Sequence, residues 1–346
     1  EVSLHNLTYG LNSQSVFAIS SVLNSTLRDF SLLNLEFQGE NAAQVVFFND
    51  TSQQKYIGKN AITFEGWNLT NCNFTTSKML IYGIFRDYSN LGGIILDNFT
   101  VINTILNRNC NLFNLQIPSP PSGTTYHRIT HVVVRNIHVN NTIFLHSEML
   151  TLKLRNTIFI AAIENVHLEV VNFSLSLSSL IQSSIIHAEG ICTYIKNALV
   201  ENIAFQSKSS FYLSNTILSS ALIANMSVKN IVLHDYSVFL GVNVTTARKL
   251  ALDFSLDGGE NGTFAETRPF MVCNSSFDSI QLDLSYLLAS TNPMVVVQQN
   301  KFVKVTMSSS RLFEFGDYHF FLSFESYISG FNNTKTYYPK NVSVLT

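Results

Sequence analysis

The sequence predicts an all-β fold, a single chain wound as a β-solenoid of about ten turns. Three observations carry this expectation. A six-position pattern of apolar, any, Asn, apolar, polar, apolar, clearest in Val134-Arg135-Asn136-Ile137-His138-Val139, recurs from one terminus to the other. The intervals between its copies alternate between short and long. The segments on either side read as strands, many of them near-continuous apolar runs of the kind found when parallel strands are covered on both faces.

Copies of the pattern centre on Asn6, Asn34, Asn71, Asn98, Asn136, Asn165, Asn202 and Asn230, then degenerate to Ser279 and Lys304 before a last copy at Asn341. Successive centres are 28, 37, 27, 38, 29, 37, 28, 49, 25 and 37 residues apart. Each interval is read as one turn, short (~28) or long (~37 residues), and each pair of turns as the repeating unit.

Within the pattern, Val132 and Val134 alternate as a strand would, and so do Ile137 and Val139, but the two sets are out of phase by one residue across Asn136. Alternation places every second residue on one face, so a slip of one requires the chain to bend at the Asn. Asn tolerates the left-handed conformation that such a corner needs, and its amide can bond to the copy one turn away. Stacked corners predict a ladder of Asn6, Asn34, Asn71, Asn98, Asn136, Asn165, Asn202, Asn230 and Asn341. In these features the chain resembles the right-handed parallel β-helix of the pectin-lyase-like superfamily. That resemblance implies a single-stranded parallel β-helix with an interior Asn ladder.

A second strand follows each copy: Ser15 to Ile19, Gln44 to Phe48, Lys78 to Tyr82, Leu112 to Leu115, Thr142 to Leu145, Phe211 to Leu213 and Val238 to Leu240. Aromatic residues recur there, which predicts a Phe stack along one interior wall. Segments leading into the pattern, such as Ile94 to Leu96, His131 to Val134 and Ala221 to Ile223, supply another strand. Ten turns at about 4.8 Å each give a body roughly 50 Å long. Pro118 to Gly123 cannot join a ladder, and the longest interval holds an insertion at 253–267.

At 346 residues the chain could hold two domains, but the unbroken repeat favours one continuous body over 1–346. Apolar residues make up 46% and charged residues only 13%, so the core is ample and the surface sparsely charged. A net charge of −2 without a basic run argues against nucleic acid or an anionic membrane as partner. No apolar run is long enough to cross a membrane as a helix, and the opening residues are not expected to act as a signal peptide. Both ends lie inside a copy of the pattern, so a segment of a longer chain is expected.

Asn-x-Ser/Thr occurs at 14 positions where 36 Asn in this composition would give roughly seven. This excess predicts a secreted or cell-surface protein with N-linked glycans and no other cofactor. Asn6, Asn98 and Asn341 are sequons and ladder positions at once and are expected to stay unmodified. The remaining candidates are Asn24, Asn49, Asn68, Asn73, Asn140, Asn172, Asn225, Asn243, Asn261, Asn274 and Asn332. Cys72, Cys110, Cys192 and Cys273 fall at unlike points of the turns and are read as free thiols.

No catalytic constellation is recognisable. Acid–base cleavage of a glycosidic bond needs two carboxylic residues at a set separation, and no two acidic residues are adjacent here. Asp253, Asp257, Glu260 and Glu266 on the insertion could bind Ca²⁺ but read better as a solvated loop. His138 and His167, each two residues after a pattern Asn in consecutive turns, are expected to stack about 5 Å apart, close enough to share a metal with His131 or Glu169, although surface polarity explains them as well. The metal prediction is therefore none.

The chain is expected to be a non-enzymatic, extracellular, N-glycosylated structural or adhesive solenoid. It would form part of a surface or filament assembly and contact other copies head to tail or laterally. In Asn richness and repeat it looks like large extracellular β-helix surface proteins of protists. The alternatives are a polysaccharide-degrading lyase or hydrolase, and a glycan-binding module using a row of aromatics such as Trp67, Tyr126, Tyr194 and Tyr337.

Overall fold

The computed structural model describes residues 2–5, 8–10, 17–19, 25–38, 43–49, 60–76, 78–84, 91–118, 130–155, 166–189, 192–214, 220–242, 270–290, 294–315, 321–329 and 332–333. These residues are all-β, with parallel strands and no helix. They form a 22-stranded sheet and a 10-stranded sheet. In both, a strand pairs with its equivalent one circuit along the chain. Thr130–Asn140 lies between Leu91–Ile102 and Val166–Ser176 in the larger sheet, and Glu148–Arg155 between Asn111–Pro118 and Ser184–Glu189 in the smaller.

The larger sheet is bent by residues with positive φ. In one circuit these are Asn136, Asn141 and His146, at 56°, 48° and 50°. The circuit before has Asn98, Asn103 and Arg108, and the one after has Asn172, Leu177 and Gln182. In each case the corners are five residues apart. The first corner forms a column of Asp29, Gly66, Asn98, Asn136, Asn172, Asn197, Asn225, Asn274 and Gln299. The second forms a column of Asn34, Asn71, Asn103, Asn141, Leu177, Asn202, Asn230, Ser279 and Lys304. At Gly66 a Cβ would come within 2.8 Å of the Asp29 carboxylate, so the smallest residue takes that place.

A left-handed residue with a side chain costs about 1–2 kcal/mol, and Asn reduces that cost through local hydrogen bonding. Here the amide also bonds along the column. In the first column Asn172 donates to Asn136 at 3.1 Å, Asn197 to Asn172 at 3.2 Å and Asn225 to Asn197 at 3.4 Å. In the second, Asn71 donates to Asn34 at 2.9 Å, Asn103 to Asn71 at 3.1 Å and Asn141 to Asn103 at 2.8 Å. Asn230 likewise donates to Asn202 at 3.1 Å.

These columns correct the sequence reading in three ways. Asn34, Asn71, Asn202 and Asn230 stand at the second corner, whereas Asn98 and Asn136 stand at the first. The apolar-x-Asn-apolar pattern fits both corners, so its copies fall in both columns. Along the first column from Asp29 to Gln299 the spacings are 37, 32, 38, 36, 25, 28, 49 and 25, which do not alternate. The corner Asn are also exposed rather than interior. Asn6, Asn165 and Asn341 lie outside the described residues, as does the insertion at 253–267.

Between the sheets, aromatic rings come from both walls rather than one. Trp67 is buried and stacks on Phe30 at 4.2 Å and on Phe99 at 5.6 Å. From the opposite sheet Phe113 meets Phe99 edge to face at 4.9 Å, and Phe211 stacks on Phe239 at 5.3 Å. The segment Thr142 to Leu145, expected as the second strand of its turn, contributes Ile143–Leu145 to the larger sheet. Glu148–Arg155 takes the expected place.

After the third corner a buried serine column runs up the body. The hydroxyls of Ser147, Ser183, Ser209 and Ser237 accept the backbone N–H of Cys110, Ser147, Ser183 and Ser209 one circuit away. Each also donates to a carbonyl two or three residues back in its own chain. An N–H that would be stranded where the sheet bends is thereby satisfied. Ser183→Ala is expected to cost about 1–3 kcal/mol in urea unfolding, the range for orphaning a buried donor, while Ser179→Ala on the outward row changes little. Equal effects would remove the column's energetic role. Asn197→Ala is expected to be less stable than Asn197→Gly by about 1 kcal/mol in the same assay, because only Gly escapes the left-handed strain.

Candidate functional site

The smaller sheet carries the densest group of ionisable side chains among the described residues. Its strands Asn111–Pro118, Glu148–Arg155 and Ser184–Glu189 align Asn111 with Glu148 and Ser184, Asn114 with Thr151 and His187, and Gln116 with Lys153 and Glu189. Strand alternation puts Thr151, Lys153, His187 and Glu189 opposite the buried Leu150, Leu152 and Ile186.

His187 is 7% exposed and sits between two carboxylates. Its Nδ1 is 2.6 Å from Glu148 Oε1, and its Nε2 is 2.8 Å from Glu189 Oε1, a close charge contact that is poorly aligned as a hydrogen bond. Lys153 Nζ approaches the same Glu189 oxygen at 3.5 Å. Thr151 donates to Glu148, and Asn111 Nδ2 donates to Thr151 at 3.1 Å. Burial alone would lower the imidazole pKa, but the hydrogen bond to Glu148 and the close Glu189 carboxylate carry it up to about 9. Burial would raise Glu148, yet the bonds from His187 and Thr151 hold it below the usual carboxylate range. Glu189 is held low chiefly by the His187 imidazole close beside it. Two positive and two negative groups leave the cluster electrically neutral.

Beside Glu148, an open groove of about 500 Å³ is lined by Met79, Asn109, Asn111, Asn114, His146, Ser147, Glu148 and Gln182. The amide oxygen of Asn114 is buried there without a hydrogen-bond partner among the described residues. None of this was read from the sequence, because Glu148 and Glu189 are 41 residues apart. The available signal was the matched spacing of Glu148, Thr151 and Lys153 with Ser184, His187 and Glu189.

Residues singled out from the sequence fall elsewhere. His138 and His167 are not neighbours: His138 Nδ1 lies 2.6 Å from the Ser174 hydroxyl, while His167 stacks on His131 at 5.5 Å. Among the described residues no three of His, Cys, Asp or Glu are grouped to hold a metal. Buried Trp67 cannot serve as an exposed sugar platform; Tyr194 is half-buried, and Tyr126 and Tyr337 lie outside the described residues. All four cysteines are free, with Cys72 and Cys110 buried.

Several proposed glycan acceptors are corner residues. Asn172, Asn225 and Asn274 share the first column with Asn98, and the Nδ2 groups of Asn172 and Asn225 donate along it. Asn68 is exposed and its recorded bond uses only the oxygen, accepting from Thr70 at 3.0 Å. Asn73 and Asn140 are half-buried in strands, and Asn49 and Asn332 end or open strands of the two sheets. Asn24, Asn243 and Asn261 lie outside the described residues.

No protein-family model matches the chain, and no curated protein matches it. Among solved structures, the mannuronan C-5 epimerase AlgE6 A-module of Azotobacter vinelandii is similar at 10% identity over 92% of this chain and 81% of that one, with a TM-score of 0.24. At that level the likeness decides neither fold nor chemistry.

Two predictions follow from the site. His187 gains its proton affinity on folding, so its contribution is complete below the unfolded value of 6.5 and is lost as pH rises through about 9. Glu148 and Glu189 contribute above the ordinary carboxylate value of 4.5 and lose that contribution on acidification through their lowered folded values. Urea midpoints are expected to be level between these limits and to fall on both sides. In His187→Gln the midpoint should drop by an amount equivalent to about 3 kcal/mol near neutrality, with the alkaline decline from this group gone. An unaltered alkaline limb in the variant would contradict the assignment. Glycopeptide mass spectrometry of secreted protein is expected to find Asn68 occupied and Asn172 and Asn225 bare, and full occupancy at Asn172 would show that its column bond is dispensable.

Proposed function

We propose that the chain is an extracellular, N-glycosylated structural or adhesive rod: one continuous parallel β-helix of about ten turns over 1–346, belonging to a surface or filament assembly. The observation that supports this reading is the recurrence of left-handed corners five residues apart in circuit after circuit. Such a body is stiff along its axis, and each circuit's polar backbone groups are bonded to the next. Its described outer surface also bears exposed Ile105, Ile143, Leu177, Leu199, Tyr236 and Leu284 on a chain with few charges, which suits packing against other copies. The partner is a second copy, head to tail or side by side, and the chain acts through its surface rather than by catalysis.

The test is electron microscopy together with sedimentation of the purified chain. Filaments or ordered oligomers with an axial repeat near a multiple of roughly 50 Å are expected, and Ile143→Asp should weaken any lateral contact. A monodisperse monomer at every accessible concentration would falsify the proposal. Polysaccharide cleavage or glycan binding remains the alternative reading, and the groove beside Glu148 is the observation that favours keeping it.

A further inference from the structure

The face between the second and third corners carries an outward row that climbs the body. Strand register aligns Glu36 with Asn73, then Ile105, Ile143, Ser179, Ala204, Val232, Gln281 and Thr306 in successive circuits. The middle of the row is apolar or small, with Ile105 and Ile143 exposed, and its two ends are polar. Each circuit crosses this face in the same length, as from Asn71 to Thr76, Leu177 to Gln182 and Lys304 to Ser309, so no insertion arises on it in the described circuits.

Leu177 stands beside the centre of the row, and the fold gives no reason for it. Asn34, Asn71, Asn103 and Asn141 precede it in the second-corner column, and Asn202 and Asn230 follow. A leucine there makes no column bond, bears the left-handed strain that Asn relieves, and is 59% exposed to water. A contact outside the circuit that covers its side chain would offset those costs.

The row is complementary to itself. A two-fold axis through Ser179, perpendicular to the face, sets Ile105 of one copy opposite Val232 of the other and Ile143 opposite Ala204, large against small. Asn73 then faces Gln281, two amides able to bond to each other, and the Glu36 end meets Thr306 and the exposed Lys304. Ile181, two residues past the axis, faces Leu177 of the second copy. Pairing the rods in parallel would instead set Glu36 against Glu36 and Lys304 against Lys304. Circuits at about 4.8 Å and residues at about 3.3 Å make the face roughly 40 Å by 16 Å. Two copies would bury roughly 1,300 Å² in total, above the ~1,000 Å² that a specific interface needs.

We propose that this face is a dimer interface through which two copies pair side by side and antiparallel, with Leu177 of each seated against Ile181 of the other. The proposal rests on the reading that the chain self-associates, and assigns that association a surface and an orientation.

The experiment is sedimentation equilibrium of the full secreted chain. The wild type is expected to form a reversible dimer. Leu177→Asn restores the residue of the column, so it is expected to raise the urea midpoint at dissociating dilution while weakening dimerisation by roughly tenfold or more. Glu36→Lys and Lys304→Glu are each expected to weaken dimerisation by roughly tenfold, and the double variant to recover most of that loss. Self-association of wild-type strength in Leu177→Asn, or no recovery in the double variant, overturns this interface and leaves assembly through other contacts standing. A monomer at every accessible concentration overturns both. A glycan found on Asn73 by glycopeptide mass spectrometry overturns the interface alone, because that residue lies within the paired rows.

Discussion

The left-handed backbone at the corners is the constraint on which the rest of this molecule depends. Here the chain turns its corners around the core through residues at positive φ, and each such residue other than glycine is strained. The chain meets that strain by stacking the corners. Asn136 accepts from Asn172, which accepts from Asn197, so the side chain that tolerates the conformation also ties one circuit to the next. Where the column changes residue, to Gly66 or Leu177, the backbone keeps the same conformation.

A bent sheet also leaves backbone groups without their usual partners, and the interior answers with small hydroxyls. The serine column past the third corner places an oxygen opposite the N–H of the neighbouring circuit at nearly every step. Thr142 and Ser178 make the same arrangement after the second corner. The core is thus mainly apolar between the walls, where Trp67 and Phe99 stack and the buried Tyr212 hydroxyl donates to Thr193 at 3.2 Å, while these small hydroxyls lie where the chain turns. The His187 cluster differs: it lies on the face away from this core, and its charges answer one another rather than the backbone.

Part of this architecture was legible in the sequence because it is written in phase. The slip of one residue across Asn136 marked a bend, and that residue has the expected left-handed φ of 56°. The third corner was not legible, since Thr76, Arg108, His146 and Gln182 share no chemistry and are united only by backbone conformation. Serines read as loop or surface residues, so Ser147, Ser183 and Ser209 gave no hint that they are buried. Trp67 was considered as a surface aromatic, but burial between Phe30 and Phe99 depends on which circuits are neighbours, and that requires the turn lengths. For the same reason Glu148 and Glu189 could not be placed around His187: the pairing arises from strand register across 41 residues, which no local pattern records.

The spacing of the corners divides each circuit into two parts. From the first corner to the third is ten residues, as from Asn98 to Arg108 and from Asn172 to Gln182, whereas successive first corners range from 25 to 49 residues apart, as at Asn172 to Asn197 and Asn225 to Asn274. Among the described circuits, the differences in length therefore fall outside the three-corner stretch. One part of each circuit is rigid in length and the other is free to vary. A lineage of such proteins could diversify its surface by lengthening the return path alone, and a designer could graft new loops there without disturbing the stacked corners.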